Sequence, residues 1–343
     1  MALRLLEGWD GLDEHYDKYF SYPDNSGCAM SGAAVRTGTQ SLRMDNSADF
    51  LFLPIPGGAP SNEIYFGVAI YLTGYPTVTT SCLRFYNNHY LGAYIAIESD
   101  GGLAMWGSTE QGDSGENKLS LNTWHYIEVK MIKGNSVGAN DVIVKVDGVE
   151  WYASSGGEDF LASGAASFTD CIALRGAPVG YYYFDDIYIC DETGPQCNTF
   201  LGQIKIATIY PDGNGNDSDF VGSDSNSVDN YLLVDDTTPD GDTTYSESGA
   251  ATELDLYTYD AAPASIIIAG IQVNSYIRKD TTGIEHLARN VVRINSTNYE
   301  SADLYPGFDY MYQTSIWELN PDDSAAWSEA DINGAEFGLK VQT

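Results

Sequence analysis

An all-β fold is what this sequence predicts, and three features predict it. Tyrosine and glycine are frequent, 25 and 35 of 343 residues, and flat amphipathic rings among β-branched neighbours suit a half-exposed pleated surface. Apolar and polar residues alternate with period two in many short runs. Gly, Asn, Asp and Pro punctuate those runs as in an antiparallel sandwich, not as in a parallel sheet with crossover helices.

In chain order, residues 3–9 form an opening strand, and 12–20 are the one early stretch able to make a turn or two of helix. Strands are expected at 41–43, 50–53, 64–72, 81–86, 94–98 and 103–106. The central pair is the best defined. In 124–131, Ile127, Val129 and Met131 share one face while Glu128 and Lys130 take the other. In 141–152, Val142, Val144 and Val146 point inward before Asp147-Gly148 supplies a tight hairpin turn. Strands at 171–175 and 181–190 complete a first domain, expected to span residues 1–195. The remainder, 196–343, is expected to be a smaller β domain. It opens with Phe200 to Tyr210, runs through acidic surface loops over 211–250 pinned by Tyr231-Leu-Leu-Val234, and continues with strands at 253–259, 265–273, 288–294, 310–318 and 336–341. The apolar run within 265–273 reads as a buried strand. Ser328 is placed to cap a short helix that stops at Gly334, with Trp327 and Ile332 turned inward.

Several pieces together resemble a known family. Trp124-x-Tyr-x-Glu-x-Lys130, Val144-x-Val-Asp-Gly148 and Tyr183-Phe-Asp-Asp-Ile-Tyr188 are similar to the concanavalin A-like lectin/glucanase (laminin-G-like) jelly roll, most of all as found in virion proteins of tailed bacteriophages. Leu5-Leu-Glu-Gly-Trp-Asp-Gly-Leu12, Ser41-Leu-Arg43, Phe200-Leu-Gly-Gln-Ile-Lys-Ile206, Trp317-Glu-Leu-Asn-Pro321, Ala326-Trp327 and Glu336-Phe-Gly-Leu339 follow in the same order. The resemblance implies an all-β chain, with an N-terminal jelly-roll sandwich followed by a smaller C-terminal β domain. It also implies a non-enzymatic virion protein, a capsid decoration, collar or head-fibre or tail component acting in assembly and surface adhesion. The partners it implies are other virion proteins and further copies of the chain. Two alternatives stand beside it: a host-glycan receptor-binding module and a concanavalin A-like glucanase.

Charge narrows the partners. Lys and Arg number 16 against 49 Asp and Glu, a formal net charge of −33. A surface so acidic repels nucleic-acid backbones and anionic membranes and favours cationic partners and divalent ions. Residues 1–12 lack the basic start and apolar core of a signal peptide, so the expectation is synthesis and release in the cytoplasm; the resemblance implies that this is a host cytoplasm and that the protein's place is in the virion. No run approaches the roughly 20 apolar residues of a membrane helix. The cysteines, Cys28, Cys82, Cys171, Cys190 and Cys197, lack metal-site spacing. They read as free buried thiols, with Cys190 and Cys197 able to close a small loop under oxidation.

Candidate sites follow from residue chemistry. Pyranose rings stack on aromatic faces while their hydroxyls take fixed donors and acceptors, and Tyr86-Asn87-Asn88-His89-Tyr90 offers that mix between two strands, with Trp106 nearby. The other reading of that stretch is a polar hairpin turn. Asp212-Gly-Asn-Gly-Asn-Asp-Ser-Asp219 places Asp212, Asn214, Asn216 and Asp219 as calcium ligands, since hard cations take alternating carboxylate and amide oxygens. A solvated Asx-rich turn accounts for the same residues, and the twelfth-position glutamate of an EF-hand is replaced by Ser223. No cofactor is required by any motif. Glu253-Leu-Asp-Leu-Tyr257 resembles the alternating acids of glucanases, which need two carboxyl groups about 5 Å apart, but Tyr257 stands where the acid partner belongs. Asp185 and Asp186 fall on opposite faces of their strand unless a bulge intervenes, with one expected to be buried against turn amides.

Overall fold

The structure is a computed structural model that describes residues 3–12, 20–22, 28–55, 63–87, 90–107, 109–132, 141–154, 171–176, 178–280 and 286–342. It divides into two units, Met1–Asp10 with Tyr19–Ile206, and Gly11–Lys18 with Ala207–Thr343. Among the described residues neither unit holds a helix long and apolar enough to cross a membrane.

The strands of the first unit are β1 (Leu3–Glu7), β2 (Phe20–Tyr22), β3 (Cys28–Ser31), β4 (Ser41–Met44), β5 (Phe50–Pro54), β6 (Glu63–Leu72), β7 (Thr80–Asn87), β8 (Tyr90–Ile97), β9 (Gly102–Trp106), β10 (Glu110–Lys118), β11 (Trp124–Ile132), β12 (Asp141–Val146), β13 (Val149–Ala153), β14 (Cys171–Arg175) and β15 (Tyr182–Asp191). They form two antiparallel sheets. One has the order β13-β12-β11-β6-β15-β4-β3, with β1 continuing along β15 beyond β4, and the other β10-β9-β8-β7-β14-β5-β2. Alternation makes the layers: Phe66 and Phe85, from opposite sheets, meet edge to face at 6.1 Å in a core with Leu51, Leu83, Ile95, Ile127 and Phe184. The hairpin at Asp147-Gly148 turns as the sequence predicts, with φ of 51° and 80°. β10, with the sequence Glu-Gln-Gly-Asp-Ser-Gly-Glu-Asn-Lys, carries no apolar alternation and is a strand that pattern reading misses; β9 imposes the pairing.

β15 shows how this sheet closes. All ten of its residues are buried, including Asp185, Asp186 and Asp191. A bulge between Asp185 and Tyr188, with Asp186 at φ 49°, brings both adjacent carboxylates onto neighbouring protein groups. Asp185 accepts from the amides of Arg36 (2.9 Å), Thr37 (3.2 Å) and Asp186 (2.8 Å). Asp186 pairs with the Arg36 guanidinium and accepts from the Thr37 hydroxyl (2.9 Å) and the Ile206 amide (2.7 Å). Both aspartates are therefore buried, not one of them. Burial, then the Asp186 charge, pushes the Asp185 carboxyl up to about 7.

One row beyond the bulge, Glu128 of β11, Gly67 of β6 and Tyr188 of β15 lie abreast. Because Gly67 has no side chain, Tyr188 crosses it and donates to Glu128 Oε1 at 2.6 Å, while Tyr126 donates to the Asp186 carbonyl at 2.9 Å. The same Glu128 oxygen accepts the Gly202 amide at 2.8 Å, and Phe200 packs edge-on against Tyr65 at 5.4 Å. Residues 200–206 are thus an irregular segment laid on the outer face of this sheet, not a strand.

In the second unit β16 (Pro211–Ser218), β17 (Val221–Gly222), β18 (Ser246–Glu247), β19 (Leu254–Tyr259), β20 (Ile271–Ile277), β21 (Leu287–Ile294), β22 (Thr297–Glu300), β23 (Met311–Trp317) and β24 (Glu336–Gln342) accompany a short 3-10 helix (Asn230–Leu233) and an α-helix, α1 (Glu329–Gly334). The main sheet has the order β16-β19-β24-β21-β22, and β17-β18 and β20-β23 pair separately. Its core gathers Val292, Ile294, Trp327, Ile332 and Phe337. Ser328 caps α1 in a full capping box with Asp331, as the sequence indicates. Two expectations are corrected. Residues 211–218, expected as loop, form an edge strand, because β19 offers an open row of backbone partners that outweighs the turn preference of Asp, Gly and Asn. The run at 265–273 becomes strand only from Ile271: Ser265 takes φ 60° and Ile267 stands 99% exposed, leaving Ile268 as the buried member.

Candidate functional site

Pairing across the seven-stranded sheet places one outward-facing residue from each of six adjacent strands in a row: Glu110, Trp106, Tyr94, Arg84, Ala173 and Phe52. Their inward neighbours in the same strands, Met105, Ile95, Phe85, Ile172 and Leu53, are fully or nearly fully buried, so strand alternation fixes the direction of the row. At about 4.8 Å per strand the row runs about 24 Å. Two residues along, Tyr86, Cys171 and Pro54 form a parallel row, and on the other side Arg175 pairs with Phe50.

Half-buried aromatic rings dominate this face. Tyr94 and Trp106 stack at 5.7 Å with their planes 5° apart. Phe52 lies 6.1 Å from Phe50 and 5.4 Å from Tyr86. Into this floor come two arginines. Arg84 lies over the Phe50 ring at 4.7 Å and Arg175 at 5.2 Å. Arg84 donates to the Ser81 hydroxyl (2.9 Å) and to the Tyr86 hydroxyl (3.3 Å). Arg175 donates to that same Ser81 hydroxyl (2.8 Å) and to the Ser47 carbonyl (2.7 Å). Burial, then the adjacent Arg84 charge, holds the Arg175 guanidinium below its ordinary value. Burial likewise pushes the Tyr94 hydroxyl up from its ordinary value.

Of the glycan candidates read from sequence, Tyr86 and Trp106 lie on this face, joined by Tyr94 and Arg84 between them. Asn87 and Tyr90 pair at the end of the β7-β8 hairpin, and Asn88 and His89 lie outside the described residues. Sequence reading missed Phe50, Phe52, Arg84, Tyr94 and Arg175. The alternation Phe50-Leu-Phe-Leu53 and Leu83-Arg-Phe-Tyr86 carried the signal for the first three.

The calcium candidates fall along and just after β16. Asp212 accepts from the Thr258 hydroxyl (2.7 Å), Asn214 donates to Asp229 (3.0 Å), Asn216 meets Glu336, and Asp219 accepts the Leu254 amide (3.2 Å). Each has a different protein partner. Among the described residues no group of three or more His, Cys, Asp or Glu is disposed to hold a metal ion. In the Glu253 and Asp255 pair, the Asp255 carboxylate is 1% exposed and accepts from Phe220, Asn230 and Tyr257. Four of the five cysteines are buried, and Cys171 is part-exposed on the aromatic face.

No family model matches the chain, and no curated protein matches it. Solved structures do. The alginate lyase Aly36B is 10% identical over 55% of this chain and 96% of its own, with a TM-score of 0.37. Domain 4 of AbnA, an extracellular arabinanase from Geobacillus stearothermophilus in complex with arabinotriose, is 14% identical over 55% and 81%, at 0.35. The Caenorhabditis elegans galectin LEC-6 is 11% identical over 43% and 96%, at 0.29. Likenesses this faint carry no site or substrate to the chain. Enzymes nevertheless stand among them, the lyase and a Trypanosoma rangeli sialidase included, and the sequence reading of a chain without catalytic activity is corrected accordingly.

Proposed function

We propose that the first unit is a glycan-binding β-sandwich whose binding surface is the outer face of its seven-stranded sheet. One observation carries this reading: Trp106, Tyr94, Tyr86, Phe52 and Phe50 line a single face with polar groups set between the rings. Large half-buried rings on the face of a sheet offer platforms for the C–H faces of sugars, and Glu110, Arg84 and the Tyr hydroxyls supply acceptors and donors for the hydroxyls. In a virion protein, which the sequence pieces resemble, such a face would hold a glycan of the host surface.

A glycan array probed with the intact chain tests it. Specific binders are expected, with affinity falling tenfold or more in Trp106→Ala and in Tyr94→Ala. Binding unaltered by both substitutions would remove this face from consideration.

A further inference from the structure

The chain has eight arginines, all described, and 49 acidic residues to pair them with. Six have a carboxylate partner: Arg4 with Asp191, Arg36 with Asp186, Arg43 with Asp45, Arg278 with Asp242, Arg289 with Glu300 and Asp303, and Arg293 with Asp217 and Glu336. The two that have none among the described residues are Arg84 and Arg175. They lie side by side, donating to one shared oxygen, Ser81 Oγ, and flanking one ring, Phe50.

Two like charges held together on a half-buried aromatic floor repel each other, and a sequence so rich in acid had every means to neutralise them. Among the described residues their hydrogen-bond partners are all neutral: Ser81, Ser47 and Tyr86 hydroxyl or carbonyl oxygens. These bonds fix both forks and occupy two of the five N–H donors of each guanidinium, leaving the rest of each fork for the oxygens of an anionic group.

Resting on the glycan-binding reading of this face, we infer that its ligand is an acidic glycan, bound with a carboxylate or sulfate group seated between Arg84 and Arg175 and a sugar ring on Tyr94 and Trp106. The row also has a direction. Glu110, at its other end, lies three strands from Arg84, about 14 Å away, and Asp113 stands beside it on β10. That end accepts hydroxyl donors and repels a second anion, so the acidic group belongs over β7 and β14. The net charge of −33 repels an approaching anion but is screened beyond about 8 Å at physiological ionic strength. The recognition is therefore a contact effect of two guanidinium groups, not a long-range field.

The test is calorimetric titration of the full chain, at physiological salt, with two probe pairs: oligogalacturonate against its methyl ester, and dextran sulfate against dextran. At least one acidic member is expected to bind ten- to a hundredfold tighter than its neutral partner, the range that charge-assisted hydrogen bonds provide. The pair that shows it identifies carboxylate or sulfate. Arg84→Gln should abolish the preference, and Arg84→Lys, which keeps the charge and loses the fork, should restore it in part. Equal binding of acidic and neutral members, unaltered by Arg84→Gln yet lost in Trp106→Ala, would overturn the acidic ligand and leave the glycan face standing. No binding of any of the four probes would overturn the acidic ligand, and a blank neutral array alongside would take the glycan reading with it.

Discussion

Replacing Gly67 with alanine is expected to destabilise the first unit by about 2–4 kcal/mol. A Cβ built at Gly67 lands on the Tyr188 ring and 2.9 Å from the Tyr126 hydroxyl. Overpacking of this kind costs about 1–3 kcal/mol. Moving Tyr188 aside also breaks its 2.6 Å bond to Glu128, which is 2% exposed. Losing one of the two hydrogen bonds to that buried oxygen, with only the Gly202 amide left on it, costs about 1–3 kcal/mol more. Against this, alanine gains about 0.5–1 kcal/mol over glycine in a strand. Urea denaturation followed by tryptophan fluorescence should show the midpoint lowered by on the order of 1 M. Tyr188→Ala, which removes the clashing ring, should make the two substitutions markedly less than additive. Gly67 belongs to the eight-stranded sheet, so the folded variant should keep its glycan affinity. An unchanged or raised midpoint, or strict additivity with Tyr188→Ala, would refute the crossing of Gly67 by Tyr188 as the reason for glycine there.

Two further outcomes follow from the buried polar groups. A carboxyl that holds its proton more tightly folded than unfolded adds stability that is complete below its unfolded value near 3.9 and is lost as pH rises through its folded value. With Asp185 pushed up to about 7, the stability of the protein relative to Asp185→Asn should decline by about 3 kcal/mol between pH 4 and pH 7 and level off about one unit higher, as read by denaturation at a series of pH values. A flat difference across that range would show that Asp185 is not a buried titrating group. Ser328→Ala removes the cap of α1 and should cost the second unit about 1 kcal/mol, with Ser328→Asp restoring most of it, measured by the same denaturation.

How much of this was legible depends on whether the cause was local. The alternation of Ile127, Val129 and Met131 against Val142 and Val144 and the turn at Asp147-Gly148 are set by neighbouring residues, and both appear as read. So does the Ser328 cap. β16 and β10 were not legible, because their polar residues become strand only where an open edge of backbone recruits them. Ile266 and Ile267 misled for the opposite reason: an apolar run promised burial, and the turn at Ser265 left them outside. At the site, Tyr86 and Trp106 could be named from residue type, and Arg84 from alternation with Tyr86. Arg175 could not, since β14 inserts between β5 and β7 from more than 80 residues further along the chain, and no local pattern announces that insertion.

Cys171 offers the most direct measurement of the central claim, because it sits among Tyr86, Ala173 and Pro54 on the aromatic face and is the one cysteine that is not buried. Cys28 and Cys82 are buried, with their thiols pushed up to about 12, and should stay silent. The rate of iodoacetamide alkylation at Cys171 should therefore fall several-fold in the presence of a saturating glycan chosen from the array, and the protection should vanish in Trp106→Ala. An alkylation rate unmoved by a glycan that demonstrably binds would place the binding surface elsewhere and contradict the account.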